Sequence, residues 1–153
     1  MKKTLLLLFV AVVVAHAADT PAPTAPPAPA AAAGDHTKNA LPLHISHGQA
    51  VVLADYLVTG KTTIFDFYSE YCPPCRALSP LLERLHKARP DVAVVKVDIN
   101  RPGVVGIDWD SPVVHEFGFD SIPHLKVYAP NGTLQSEGDP AREMVIGWIE
   151  ALE

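Results

Sequence analysis

Cys72 and Cys75 are the only cysteines of the chain, and only Pro73 and Pro74 separate them in Phe65-Asp66-Phe67-Tyr68-Ser69-Glu70-Tyr71-Cys72-Pro73-Pro74-Cys75. Two thiols at that spacing can form and break a disulfide with each other. A β-type run, Thr62 to Phe67, leads into the pair, and a helical pattern, Arg76 to Leu85, leads away from it. Cys72 is therefore expected at a helix N-terminus, where unpaired backbone N–H groups and the helix dipole favour a thiolate. The thiolate is the form of cysteine that attacks a disulfide. Cys75 falls about one helical turn later, within reach of a mixed disulfide on Cys72. The pattern reads as a dithiol/disulfide redox centre.

Two other uses of the pair fit less well. A structural zinc site takes about four ligands, from two cysteine pairs or from one pair and spaced histidines. The chain has no second cysteine pair and no matching histidine spacing, and His36, His44 and His47 do not make a metal site by spacing alone, so no metal is expected. A purely structural disulfide closing so short a loop would remove little entropy from the unfolded chain.

The 153 residues suffice for one ordinary domain. Lys2 and Lys3, the apolar run Leu5 to Ala15 and the small-x-small triplet Ala15-His16-Ala17 have the form of a signal peptide over 1–17, with cleavage expected after Ala17. The run is shorter than the about 20 apolar residues of a membrane-spanning helix. An uncleaved N-terminal membrane anchor is the alternative. Residues 18–35 form an Ala/Pro-rich linker that cannot bury a core. The domain is placed at 36–153. Export suits the cysteines, because the cytosol keeps thiols reduced. It points to a periplasmic protein whose partners are the thiols and disulfides of other exported proteins. The formal net charge of −5 becomes −7 without Lys2 and Lys3, and no Gly-rich phosphate loop or basic aromatic patch is present. Nucleic acid is thus not an expected partner. A monomer is expected.

Several elements must position the cysteines. Leu41 to Ser46 reads as a first strand, and Gln49 to Leu57 as a strand or a short helix. Thr62 to Tyr68 reads as a central strand buried on both faces. Cys72 to Ala88 is a helix with Leu78, Leu81, Leu82 and Leu85 on its apolar stripe and Pro80 inside it. Asp91 to Ile99 completes a strand–helix–strand unit, which makes its two strands parallel. Ser111 to Phe117 is a short helix with Ser111 as cap and Pro112 at its first position. His124 to Tyr128 and Thr133 to Glu137 form a hairpin around Pro130-Asn131-Gly132. Asp139 to Leu152 is the last helix, capped by Asp139. The fold class is α/β, a central mixed sheet with helices on both faces.

Over nearly all of 36–153 the chain resembles the thioredoxin family. Asp66-Phe67 precedes the Cys-x-x-Cys at the family spacing, and Pro80 matches the proline inside the helix. Lys96 in Val95-Lys96-Val97-Asp98 matches the strand lysine, Ile122-Pro123 the Ile-Pro before the fourth strand, and Gly138 the glycine before the last helix. The resemblance implies a thioredoxin-like fold with Cys72 as nucleophile and Cys75 as resolving thiol, the pair forming a redox-active disulfide, with no cofactor. It implies that Asp66, buried in its strand, accepts the Cys75 proton, with Lys96 as charge partner; an exposed edge lysine is the alternative at 96. It implies a cis Pro123, with Ile122 pairing with the substrate chain, and a substrate surface made of Tyr71, Pro73, Pro74, Ile122, Pro123 and Gly138. Cys72 should be the more exposed cysteine.

The chain departs from the family pattern at several positions. Tyr68 and Tyr71 stand where Trp is usual, Pro73 where Gly is commoner, and His124 where Thr is common. His124 could place a charge near the thiolate or be a packed strand residue. The segment Gly103 to Pro112 is longer than the family connection, and reads either as a partner-specificity loop or as a packing insert anchored by Trp109. Ile122, rather than Thr, resembles the reducing branch of the family. The expected function is an exported thiol:disulfide oxidoreductase that reduces exported proteins and is itself re-reduced by a membrane electron relay. The alternatives are a disulfide donor or isomerase with the same residues, and a non-catalytic binding module.

Overall fold

A computed structural model describes residues 42–153. The expected signal peptide, the linker and the first residues of the expected domain lie outside the described residues. In order along the chain are β1 (Leu43–Ile45), β2 (Thr62–Tyr68), α1 (Pro73–Ala88), β3 (Val92–Asp98), α2 (Pro112–Phe117), β4 (His124–Tyr128), β5 (Leu134–Glu137) and α3 (Gly138–Glu150). The segment left open between strand and helix forms a short 3-10 turn, Leu53–Tyr56.

The sheet runs β1-β3-β2-β4-β5. β1 and β2 flank β3 in parallel, while β4 and β5 are antiparallel to their neighbours. β2 is β-branched and aromatic almost throughout, and all its residues beyond Thr62 are buried. Its alternation sends successive side chains to opposite faces. Phe65 and Phe67 join Val95, Val97, Val113, Val114 and Phe119 on the α2 side. Ile64 joins Val94, Leu125 and the inner faces of α1 and α3 on the other. Helices therefore cover both faces, as expected.

The differences from expectation have local causes. On α1, Leu78, Leu82 and Leu85 are buried but Leu81 is 38% exposed: the buried stripe follows the i, i+4, i+7 row, and Leu81 falls at its margin. Asp139 does not cap α3. It lies in the first turn and pairs with Arg142 at 3.0 Å. The preceding Glu137 makes no cap bond, because its carboxylate is held by Lys126 and His124. Ser111 does occupy the cap position of α2, but its hydroxyl makes no cap bond.

Candidate active site

Cys72 is the N-cap residue of α1, and its Sγ accepts a hydrogen bond from the Cys75 backbone N–H at 3.2 Å. The sequence dictates this. Pro73 and Pro74 fill the first two helical positions and carry no N–H. The amide of Cys75 is then the first donor the helix can offer to the sulfur. Cys72 and Cys75 are joined as a disulfide. Cys72, expected to be the more exposed cysteine, is so only by a small difference: both residues are buried, at 2% and 1% exposed. Tyr68, Ile107 and Ile122 pack around them, and the Ile122 carbonyl oxygen lies 3.7 Å from Cys72 Sγ. In the disulfide that sulfur has no proton to donate; in the reduced thiol it does.

The Ile122-Pro123 bond is cis. Tyr71, Pro73 and Pro74 are exposed beside the disulfide. Gly138 stands at the start of α3 with φ of 66°, the region that favours glycine, where a Cβ would lie 3.7 Å from the His124 ring. His124 is a packed strand residue. Its ring stacks on Phe119 with centroids 4.9 Å apart, and its Nε2 is 3.0 Å from Glu137 Oε1.

Asp66 and Lys96 are register partners in β2 and β3. Asp66 is fully buried and Lys96 is 2% exposed, so the reading of Lys96 as an exposed edge residue is corrected. Lys96 Nζ donates to Asp66 Oδ2 at 2.9 Å and to Ser79 Oγ at 2.5 Å. Ser79 Oγ in turn donates to the Cys75 carbonyl at 3.0 Å. Asp66 Oδ1 has no hydrogen-bond partner among the described residues. Burial raises the Asp66 carboxyl above its ordinary range, and the Lys96 ammonium offsets this only in part. A carboxylate of raised basicity, linked through Lys96 and Ser79 to the Cys75 carbonyl, is suited to accept a thiol proton once the disulfide is reduced.

The longer segment is anchored differently from expectation. Trp109 is 37% exposed. Asp108 is the buried residue, and both its oxygens accept from Arg101, from Nε at 2.7 Å and Nη2 at 2.8 Å, with the Arg101 backbone N–H adding a third bond. Ile107 reaches the disulfide. No short motif marks Arg101, Ile107 or Asp108, and sequence reasoning missed them. It also missed Ser79, although one helical turn separates it from Cys75 and a hydroxyl at that offset commonly bonds the carbonyl behind it. Among the described residues no group of three or more His, Cys, Asp or Glu is placed to hold a metal ion, and no helix is long and apolar enough to cross a membrane.

The family model for thioredoxin matches residues 51–151. A thioredoxin of Chlamydia trachomatis is 45% identical over 75 residues, 49% of this chain and 65% of that protein. One from Streptomyces clavuligerus is 33% identical over 75 residues, 49% of this chain and 63% of its own length. The chain thus spans less than two thirds of either relative. Among solved structures, Chlamydomonas reinhardtii thioredoxin f2 superposes with a TM-score of 0.51 at 21% identity, covering 73% of this chain and 96% of that one. The short form of thioredoxin f from spinach chloroplast gives 0.51 at 19% identity, over 73% and 93%. At these identities the structures speak for the fold.

Proposed function

The chain belongs to the thioredoxin family, and on that premise we propose that it is an exported thiol:disulfide oxidoreductase that reduces disulfides of exported proteins. The observation that carries the reading is Cys72 at the N-cap of α1, its sulfur bonded to Cys75 and receiving the Cys75 amide. Amide and helix dipole both stabilise negative charge on that sulfur once it is reduced.

The reaction runs in two displacements. The Cys72 thiolate attacks one sulfur of a substrate disulfide, held by backbone pairing along Ile122-Pro123 against Tyr71, Pro73, Pro74 and Gly138. The other substrate sulfur leaves as a thiolate. Cys75 then gives its proton to Asp66 and attacks Cys72. The second substrate thiolate leaves, and the Cys72–Cys75 disulfide forms. The substrate gains two electrons and the protein loses two. No cofactor takes part. Lys2-Lys3, the apolar run and the Ala15-His16-Ala17 site support export. An exported protein is beyond the reach of cytosolic nicotinamide-dependent reduction, so a membrane electron relay restores the dithiol. The protein works as a monomer.

The test is the equilibrium reduction potential of the full chain in thiol redox buffers. A potential near the about −270 mV of thioredoxins supports the reductant. A value near the about −120 mV of strong oxidants reverses the direction and makes the protein a disulfide donor. If no reversible couple titrates, the fold serves as a binding module, and a Cys72→Ser chain then keeps its partner binding.

A further inference from the structure

Lys96 does not end the polar chain that begins at Asp66. Its Nζ lies 4.2 Å from the centroid of the Tyr68 ring. The Tyr68 hydroxyl is 2.9 Å from Nδ1 of His44, whose ring meets the Tyr68 ring edge-on at 5.8 Å. β1 brings His44 there, since His44 and Lys96 are register partners across the β1–β3 ladder. His44, Tyr68, Ser79 and Lys96 share the wall of an open cleft of about 470 Å³ with Glu70, Arg76 and Glu83. The buried pair thus has an outlet to solvent, and His44, exposed, stands in its wall.

We propose that His44 is a positioning residue of the resolving step: its protonation puts a second positive charge on the Lys96 side of Asp66 and keeps Asp66 a carboxylate, able to take the Cys75 proton, into more acidic solution. The inference rests on Asp66 being the proton acceptor. Tyr68 fixes the distance. Its hydroxyl stays protonated at working pH, because burial holds its pKa far above the ordinary range. That hydroxyl can donate to an unprotonated Nδ1 and accept from a protonated one, so it holds His44 in both charge states.

The groups facing His44 are known from every neighbouring element: Tyr68 on β2, Glu70 after it, Arg76 and Glu83 on α1, Lys96 and Asp98 on β3, and His47 after β1. Burial, Lys96 and His47 lower its pKa, while Asp98 and Glu83 pull the other way. His44 accordingly gains its proton below neutrality. The raised Asp66 carboxyl loses its capacity as a base as pH falls, so the two titrations oppose each other.

The test is stopped-flow reaction of the pre-reduced full chain with dithiobis-nitrobenzoate. One thionitrobenzoate leaves when Cys72 attacks, and a second leaves when Cys75 resolves. The second phase is followed from about pH 5 to about pH 8, spanning the histidine range. His44→Asn keeps an acceptor near the Nδ1 position but never titrates. Its acid limb should move toward neutral by about half a pH unit to one unit, the size expected for one partly screened charge. His44→Lys, charged throughout, should hold the limb at or below the wild-type position. Overlapping profiles for the wild type and both variants overturn the proposal. Asp66→Asn separates the two readings. If the limb survives in it, Asp66 is not the proton acceptor and both fall; if the limb vanishes there but stays put in His44→Asn, only the role of His44 falls.

Discussion

Asp66 and Asp108 are both buried aspartates paired with a cation, yet their carboxyl pKa values move in opposite directions. Asp108 is held below the ordinary range by the hydrogen bonds of Arg101, which outweigh its desolvation. Asp66 is pushed above it, because desolvation outweighs Lys96. The geometry explains the contrast. Arg101 presents a planar fork that satisfies both Asp108 oxygens, and a backbone amide adds a third bond. Lys96 is a point donor that reaches Oδ2 alone and shares itself with Ser79, leaving Oδ1 without a partner among the described residues. Desolvation acts on both carboxylates, and the donors that satisfy their lone pairs set how much of it is offset: more than all of it at Asp108, only part at Asp66.

The largest effect that tests this contrast is Lys96→Met. Removing one member of a buried pair should cost about 3–5 kcal/mol at neutral pH, read as a fall in the urea midpoint. The cost should shrink on acidification. The folded Asp66 pKa lies above its unfolded value, so the native state holds that proton more tightly, and stability falls as pH rises from the ordinary carboxylate range through the raised value. Without Lys96 the raised value goes higher, so the fall continues to higher pH and its total is larger. The double change Asp66→Leu with Lys96→Met should restore stability to wild type or exceed it, since apolar replacement of a buried ion pair is often neutral or favourable. A double variant as unstable as Lys96→Met alone would show that the pair holds the fold together, contrary to a base kept at a cost in stability.

Asp108→Ala comes next, at about 1–3 kcal/mol, the range for losing hydrogen bonds to a charged group. Arg101, 39% exposed, can return to water, so no buried charge is stranded. The pH dependence should have the opposite sign to that of Asp66. A depressed folded pKa contributes stability above the unfolded value and loses it as pH falls through the depressed one. Asp108→Ala should therefore flatten the acid limb of the stability curve, measured by thermal melts across acid pH. An unchanged limb would place the acid sensitivity elsewhere.

The two pairs were not equally visible in the sequence. Asp66 could be read because a charged residue inside the run from Thr62 to Tyr68 has nowhere to go but the interior. Lys96 could be read as its partner only through family resemblance, since a strand lysine is ordinarily exposed. The parallel β2–β3 pair, the hairpin, helices on both faces and Cys72 at a helix start followed from periodicity and turn residues, whereas the order of the five strands did not. Asp108 could not be read. Arg101 and Asp108 meet through an irregular loop with no period to betray it, and the nearby Trp109 was the more conspicuous anchor. His44 was set aside as a metal ligand, and nothing in its spacing shows that β1 lays it against Lys96; that register is a property of the parallel ladder.

Ser111 carries the same principle to its smallest measurable case. It occupies the N-cap of α2, where Ser is favoured because its hydroxyl accepts a helix amide, and loss of such a cap costs about 1 kcal/mol. Here Oγ is fully buried and has no partner among the described residues. A first-turn amide is met from elsewhere, the Val113 N–H donating to the Gly48 carbonyl at 3.4 Å, while the Ser111 carbonyl accepts the first bond of the helix from the His115 N–H at 3.2 Å. A hydroxyl that bonds nothing contributes only its desolvation, so Ser111→Ala should change stability by less than about 0.5 kcal/mol or raise it slightly, against the usual sign. Matched urea melts of the two chains decide it. A loss near the full cap value would mean that Oγ is satisfied in solution, and would weaken the parallel inference that Asp66 Oδ1, equally without a partner, is what leaves that carboxyl free to act as a base.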